Sequence, residues 1–319
     1  MEPMLNSKTF FVKEIFNPKL SENGKYCYYT VEKKDISHKQ LMRMLPRDSC
    51  FSGIKDRNAT TEQWFCSKER LEDFKKDGIK VKYKGRSNEK LFIGKHKANH
   101  FRVIANEKPI GKPGLVANYF GEQRFDLRAR KFYELIHNNS FEEALKYFLT
   151  EKSKFDSEKS EQMKKIIFDT WGKWKVVRES EEIKGTGKED LFKFLERKPK
   201  DFEEAFEYAE RKSLVWMLKA CQAIRFNQKL NEIVFEKNPK SRIVKIYGEK
   251  VFIDANKAMK RELIIEPTEF EERFGLGKLE RKSFFEAKKY KVKIRGKEIE
   301  ISFELPRGCY ATVLLKAIY

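Results

Sequence analysis

The chain has 319 residues, and 69 Lys and Arg against 49 Asp and Glu give it a net charge of +20. Such an excess destabilises a compact chain unless a polyanion neutralises it, so the charge favours nucleic acid over a membrane as partner; the alternative is a solvated, self-repelling surface. No segment approaches the roughly 20 apolar residues that span a bilayer, and the first residues lack the pattern of a signal peptide, so we expect a cytoplasmic protein. The five cysteines and four histidines lack metal-ligand spacing, so no metal site is expected.

Short runs rich in aromatic and β-branched residues predict that the first hundred residues are mostly strands. These runs are 9–16, 26–33, 49–54, 62–67, 79–84, 90–95 and 100–105. One helix interrupts them, because Ser37 and Gln40 have the spacing of a capping box and Pro46 stops the apolar run that follows.

After Gly121 the apolar residues recur at helical spacing as far as about residue 235. This pattern predicts helices over 158–170 and 201–236, another after a capping box of Ser140 and Glu143, and a short helix that Gly275 ends. The alternation typical of strands returns as a hairpin over 290–303. The sequence therefore predicts an α+β fold, with a sheet domain built from both ends of the chain and a largely helical insertion between them.

A single carboxylate stands out between the third and fourth predicted strands. Asp56 lies between Lys55 and Arg57 in a polar turn that follows Gly53. Neighbouring cations favour the ionised form of a carboxyl group, so both basic residues are expected to keep Asp56 charged. A surface salt bridge would explain this local pattern equally well.

A longer comparison favours a functional interpretation of this turn. The segment from Gly53 to Gln63 resembles the signature G-x-K-D-x-x-A-x-T-x-Q of the TruD family of pseudouridine synthases, with every specified position in register. Residues 118–125 are similar to the family's N-Y-F-G-x-Q-R-F segment, residues 97–101 to its K-x-N-x-F segment, and residues 305–312 to its L-P-x-G-[S]-[FY]-A-T segment. The segments occur in family order, so the resemblance covers nearly the whole chain.

The resemblance implies an architecture and an activity. Residues 1–125 and 284–319 would form a pseudouridine synthase-like catalytic domain with a mixed, mostly antiparallel sheet, and 126–283 an inserted, largely helical α/β domain that binds RNA. The protein would be an isomerase that needs no cofactor and converts a uridine of tRNA, usually uridine 13, to pseudouridine. We expect it to act as a monomer.

The resemblance also implies roles for individual residues. Asp56 would be the nucleophile, attacking either the anomeric carbon of the ribose or the uracil ring. Phe101 would stack on the flipped-out base, and Asn99 would orient the base or the Asp56 turn. Lys55 would support the charge of Asp56, and Arg124 would meet a phosphate or carboxylate.

One family position departs from the pattern. Family members usually carry a basic residue six positions before the Phe of an F-x-V-x-E segment, here beginning at Phe10, and that register falls on Met4. Lys8 is the nearest substitute. The departure leaves open a noncatalytic RNA-binding protein with the same fold; a DNA-binding protein is the remoter alternative, since no helix-turn-helix or zinc finger is visible.

Overall fold

The structure, a computed structural model, describes residues 3–122, 128–152 and 156–319, and their contacts divide the chain into two compact units. The first unit comprises the described residues of Met1–Tyr119, Ile233–Arg261 and Ser283–Tyr319, and the second comprises those of Phe120–Glu232 and Glu262–Lys282. The division places 233–261 in the first unit, whereas the sequence assigned it to the insertion. Two backbone hydrogen bonds join this stretch to residues 115–117 of the first unit. The Ala117 N–H donates to the Ile253 carbonyl, and the Ala255 N–H donates to the Leu115 carbonyl.

In the described part of the first unit, nine strands form one sheet. They are β1 (Phe10–Ile15), β2 (Tyr26–Lys34), β3 (Cys50–Phe51), β4 (Thr60–Ser67), β5 (Phe74–Lys76), β6 (Ile79–Ser87), β7 (Ala98–Ala105), β14 (Lys288–Arg295) and β15 (Glu298–Pro306). Their order across the sheet is β14-β15-β7-β1-β4-β2-β6-β5, with β3 paired to β4. The β1–β4 pair is parallel and the other pairs described are antiparallel. The prediction of a mixed, mostly antiparallel sheet drawn from both ends of the chain is confirmed.

Side-chain alternation gives this sheet a buried face at its centre. Phe101 of β7 is paired with Val12 of β1 on one side and with Phe303 of β15 on the other. The Phe101 ring stacks on Phe303 with 5.3 Å between ring centroids and on Phe10 with 5.9 Å. Aromatic rings dominate core energetics because each buries a large apolar area, so this stack fixes the register of three strands.

Smaller elements complete the first unit. Helix α1 (His38–Met44) has the predicted capping box between Ser37 and Gln40, and the extended Leu45 before Pro46 ends it. The remaining elements are the short strands β8 (Leu115–Ala117) and β13 (Phe284–Glu286), the hairpin β9 (Ile243–Ile246) and β10 (Glu249–Phe252), and helix α10 (Ala311–Ile318).

The predicted strand over 90–95 is wrong, because this stretch is a loop with a turn at Phe92–Lys95. Only Cys50–Phe51 of the predicted strand 49–54 is extended in the sheet. The Lys95 N–H bonds across a turn to the Phe92 carbonyl, and beyond Phe51 the Ser52 and Gly53 carbonyls accept from the Gly94 N–H and the Gln63 side chain rather than from the backbone of a neighbouring strand. Apolar composition alone therefore misled the prediction.

The second unit is largely helical. Its described helices are α2 (Ala129–His137), α3 (Phe141–Thr150), α4 (Glu158–Asp169), α5 (Trp174–Glu179), α6 (Glu189–Arg197), α7 (Phe202–Ala205) and α9 (Glu269–Arg273), with the greater part of α8 (Arg211–Lys237). Strands β11 (Glu262–Ile265) and β12 (Leu279–Lys282) pair within it. Across the described ranges, no helix is both long and apolar enough to cross a bilayer.

Two predictions in this unit need correction. The helix expected over 201–236 is interrupted at Ala209, whose extended backbone separates α7 and a 3-10 turn from α8. Ser140 does precede α3, but its side chain makes no capping hydrogen bond. By contrast, Gly275 ends α9 at a φ of 79° as predicted.

Candidate active site

The turn that carries Asp56 is tied to the sheet at three successive points. The Gly53 carbonyl accepts a hydrogen bond of 3.1 Å from Nε2 of Gln63, and the Lys55 Nζ lies 2.7 Å from Oε1 of Glu14. The Asp56 carbonyl accepts a bond of 2.5 Å from Nζ of a buried lysine, Lys33. The turn is therefore fixed over β4, β1 and β2 before any substrate binds.

The side chains beneath this turn form a polar row, which we define as Lys33, Thr61, Gln63, Glu14 and Asn99. Strand registers place them on one face, because Lys33 pairs with Thr61, Thr61 with Val12, and Glu14 with Asn99, and residues two apart on a strand share a face. All five are buried. Buried polar groups of this density in the middle of a sheet mark a candidate site rather than an ordinary core.

Glu14 and Lys55 form the ionic centre of the row. Their side chains are 0% and 8% exposed, and the Trp64 N–H donates a further bond of 2.8 Å to Oε2 of Glu14. Burial raises the pKa of Glu14, while the Lys55 charge and the Trp64 N–H act in the opposite direction. A buried pair of this kind stabilises a structure only while both partners are present.

His96 lies beside this ion pair but does not compete for it. Its Nδ1 is 2.6 Å from Oγ of Ser52 and 4.0 Å from Oε1 of Glu14. Burial, with the nearby Lys55 charge, lowers the pKa of His96 to about 4, so its ring is neutral at pH 7. Lys55 therefore neutralises Glu14, and the hydrogen bond between Ser52 and His96 holds the start of the turn.

A side chain at the glycine of the motif would crowd this packing. A Cβ added at Gly53 would lie 3.0 Å from Nζ of Lys55 and 3.2 Å from Cε1 of His96. Lys55, Ala59 and the two motif members in the polar row are buried, whereas Asp56 is exposed. The motif thus consists of residues that hold the turn and one carboxylate presented to solvent.

Lys33 supplies positive charge directly under Asp56. Its Nζ donates to the carbonyls of Ile36, at 2.7 Å, and of Asp56, and the side chain has no exposed area. Burial lowers the pKa of Lys33 to about 8, while the Asp56 carboxylate pulls the pKa back upward. The lysine is therefore charged at neutral pH and loses its charge in mildly alkaline solution.

Apart from Oε1 of Glu14, which the Lys55 ammonium neutralises, three buried oxygens of the polar row have no hydrogen-bond partner among the described residues: Oγ1 of Thr61, Oε1 of Gln63 and Oδ1 of Asn99. A buried polar atom without a partner costs about 1–3 kcal/mol. Their retention on one sheet face, beneath the turn that carries Asp56, indicates a requirement other than stability.

The structure brings some of the predicted residues together. Asn99 faces Glu14 in register, and Glu14 bonds Lys55, which precedes Asp56. Phe101 lies two residues beyond Asn99 on the same face and is 6% exposed. Asn99 and Phe101 therefore share one sheet face, and Lys55 and Asp56 lie in the turn above it.

Lys8 does not join this cluster. Lys8 is exposed in the segment before β1, and Met4, where the family pattern expects a basic residue, is 80% exposed. Arg124 lies outside the described residues, as do Gln123 and Phe125.

Sequence reasoning missed Lys33, although a usable signal was present. Alternation along β2 places Lys33 on the same face as the fully buried Val31 and Cys27, whereas Lys34 points to the other face. A lysine at an inward position of an otherwise apolar strand needs a partner, because burying an unpaired charge is costly.

For the reaction carried out at this site, we expect kcat/KM to fall as the pH rises through about 8. Lys33 then loses the charge that supports the Asp56 carboxylate. The matched variant Lys33→Gln keeps an N–H donor but has no charge to lose. It should be about tenfold slower at pH 7 and lack this alkaline decline. Rate measurements from pH 6 to 9 on both proteins check the prediction, and an unchanged decline in the variant would assign it to another group.

Comparison with solved structures agrees with this architecture. The crystal structure of the putative tRNA pseudouridine synthase D (TruD) from Methanosarcina mazei matches 99% of this chain and 93% of its own, with a TM-score of 0.67 and 18% sequence identity. The fold is therefore that of a pseudouridine synthase.

Sequence comparisons agree with the structural match. The family model for tRNA pseudouridine synthase D (TruD) matches residues 5–274, and the chain therefore belongs to the TruD family. The tRNA pseudouridine synthase D of Aquifex aeolicus is 26% identical over 376 aligned residues, covering 97% of this chain and 96% of the relative. A probable tRNA pseudouridine synthase D of Methanococcus maripaludis is 24% identical over 97% of both chains. The prediction of an isomerase of this class is confirmed.

Proposed function

We propose that the protein converts a uridine of tRNA, uridine 13, to pseudouridine, with Asp56 as the nucleophile. The observation that carries the proposal is the exposed Asp56 on a turn held by the Lys55–Glu14 pair and by the Lys33 ammonium. A catalytic carboxylate must stay ionised and in one place, and these contacts serve both needs. The relatives are named tRNA pseudouridine synthases, and a tRNA, as a polyanion, suits a chain of net charge +20.

The chemistry requires one covalent bond to the enzyme and no cofactor. The Asp56 carboxylate adds either to C1′ of the ribose or to the uracil ring, and the N1–C1′ bond breaks in either route. The uracil turns so that C5 faces C1′, a C5–C1′ bond forms, and the bond to Asp56 breaks. C5 then loses its hydrogen as a proton and N1 gains one, so the product is an isomer of the substrate.

The target base must leave its stack before Asp56 can reach it, and this costs a few kcal/mol. We propose that Phe101 and Asn99 receive the base, since they share the buried face beneath the Asp56 turn. Lys8 and Arg124 remain candidates for phosphate contacts, and the helical unit for binding the rest of the RNA. A tRNA substrate accords with the expected cytoplasmic location, and the monomeric state stays a prediction.

Mapping of pseudouridine in tRNA transcripts tests the proposed function. Transcripts with uridine or cytidine at position 13 are incubated with the protein, and pseudouridine is located by selective chemical modification and primer extension. We expect one new pseudouridine, at position 13, in the uridine transcript only. Tight binding of both transcripts without modification would favour the noncatalytic RNA-binding protein instead.

Phe101→Leu separates base stacking from packing. Alanine would cost about 3–5 kcal/mol of stability at such a buried ring, so leucine is the better test. Because base stacking on an aromatic ring contributes about 1–3 kcal/mol, we expect kcat to fall by about tenfold or more while tRNA affinity, which depends on phosphate contacts, changes little. The matched control is Phe303→Leu, in the same ring stack. An equal loss of kcat in both variants would show that Phe101 acts only in packing.

A further inference from the structure

Three large apolar side chains are exposed close to the Asp56 turn. Ile54 is 69% exposed, and Phe92 and Ile93 in the loop before β7 are 61% and 71% exposed. We call these three residues the apolar tip. The two segments lie side by side, because the Gly94 N–H donates a bond of 2.7 Å to the Ser52 carbonyl. Scattered apolar residues on a surface need no explanation, but three within two residues of one hydrogen bond form a patch.

The loop that carries Phe92 and Ile93 is held on both sides. Leu91 is buried and its N–H bonds to Sγ of Cys66 at 3.2 Å, and the Lys95 N–H bonds to the Phe92 carbonyl at 3.2 Å. The Arg307 guanidinium donates to the Gly94 carbonyl. A Cβ at Gly94 would lie 2.8 Å from that guanidinium, and φ there is 87°, so this position requires glycine. Phe92 and Ile93 are thus presented to water by a loop that cannot fold them inward.

The surroundings of the tip are basic. Lys90 and Lys97 of the same loop are exposed, as is Arg57 next to Asp56. Lys95 pairs with the exposed Glu89 at 2.7 Å and lies 5.4 Å from the centre of the Phe92 ring. Cations around an apolar tip fit a polyanion whose bases are also apolar, which describes RNA better than a protein surface.

We propose that Phe92 and Ile93 act as a wedge, entering the base stack next to the target uridine and filling the gap that the uridine leaves when it turns out toward Asp56. Apolar side chains that separate stacked bases are a known device of nucleic-acid-binding proteins. Ile54, in the Asp56 turn, extends the same apolar surface toward the catalytic carboxylate. The inference rests on the proposed function, because it concerns the substrate of that site.

Turnover of folded tRNA by Phe92→Ala/Ile93→Ala tests the wedge. We expect single-turnover pseudouridine formation to fall by about thirtyfold, since the variant must unstack the base without help, and tRNA affinity to change by less than about threefold. The matched controls are Ile110→Ala and Ile294→Ala, which remove side chains 73% and 65% exposed in the same unit. An unchanged rate in the double variant, or an equal loss in the controls, would overturn the inference and leave the proposed function standing.

A second readout does not depend on catalysis. Asp56→Asn, with and without the double substitution, is bound to tRNA that carries 2-aminopurine next to the uridine mapped as the target. The fluorescence of this base rises when it is unstacked, so we expect a rise with Phe92 and Ile93 in place and at most a third of that rise after both are replaced. Equal rises would overturn the wedge. Failure of the wild-type protein to form pseudouridine would instead contradict the proposed function.

Discussion

Asn in place of Asp56 is expected to slow pseudouridine formation by about four orders of magnitude or more, the loss typical of a removed nucleophile. An amide has no ionised oxygen with which to attack. The substitution leaves the backbone carbonyl that bonds Lys33 in place, and the side chain is exposed, so the turn and the fold should be preserved. The loss should therefore appear in kcat and not in tRNA affinity.

Single-turnover rates and tRNA binding measured on the same preparations check this expectation. The matched control is Asp77→Asn, which makes the same chemical change at an exposed turn between β5 and β6, where φ is 49° and asparagine is well tolerated. The control should keep the wild-type rate. A rate for Asp56→Asn within tenfold of wild type would remove Asp56 from the mechanism.

Glu14→Gln is expected to destabilise the first unit by about 3–5 kcal/mol, because it leaves the Lys55 charge buried without its partner. Glutamine has nearly the same shape, so the loss measures charge rather than packing. β1 lies between β7 and β4, so the damage should spread through the centre of the sheet. The turn that carries Asp56 should loosen as well, because Lys55 belongs to it.

Because the chain has two units, a single unfolding midpoint would mix their stabilities. Hydrogen exchange of the slowest amides in β1 and β4 reports the first unit by itself. Glu62→Gln is the matched control, since its partner Lys13, at 3.0 Å, is 60% exposed and such a surface pair contributes at most about 1 kcal/mol. Glu14→Gln/Lys55→Met should recover much of the lost stability. If Glu14→Gln and Glu62→Gln lowered the stability of the first unit equally, the buried pair would not be essential to it.

The strands and the Asp56 turn could be predicted because their signals are local. Runs rich in aromatic and β-branched residues mark β1, β2, β4 and β7, and a capping box and a proline delimit α1. Asp56 can be singled out because the segment around it, from Gly53 to Gln63, resembles the TruD signature. The structure adds the reason for that spacing: every motif residue but the aspartate is packed against the sheet.

That these side chains come together in one polar row could not be predicted, because it depends on which strands become neighbours. Glu14 and Asn99 are far apart in sequence and meet only because β1 pairs with β7 in one register. Lys33 reaches the Asp56 carbonyl across a separation of 23 residues. The loop with Phe92 and Ile93 was taken for a strand because its apolar composition fits one, whereas its side chains face water.

Tritium release from tRNA transcripts labelled at C5 of uridine tests the central claim most directly, because C5 loses its hydrogen only when it becomes the carbon of the new glycosidic bond. The account predicts that the wild-type protein releases the label of one uridine per tRNA, and that Asp56→Asn, while binding the same tRNA, releases none above background. Release by Asp56→Asn at the wild-type rate would contradict it.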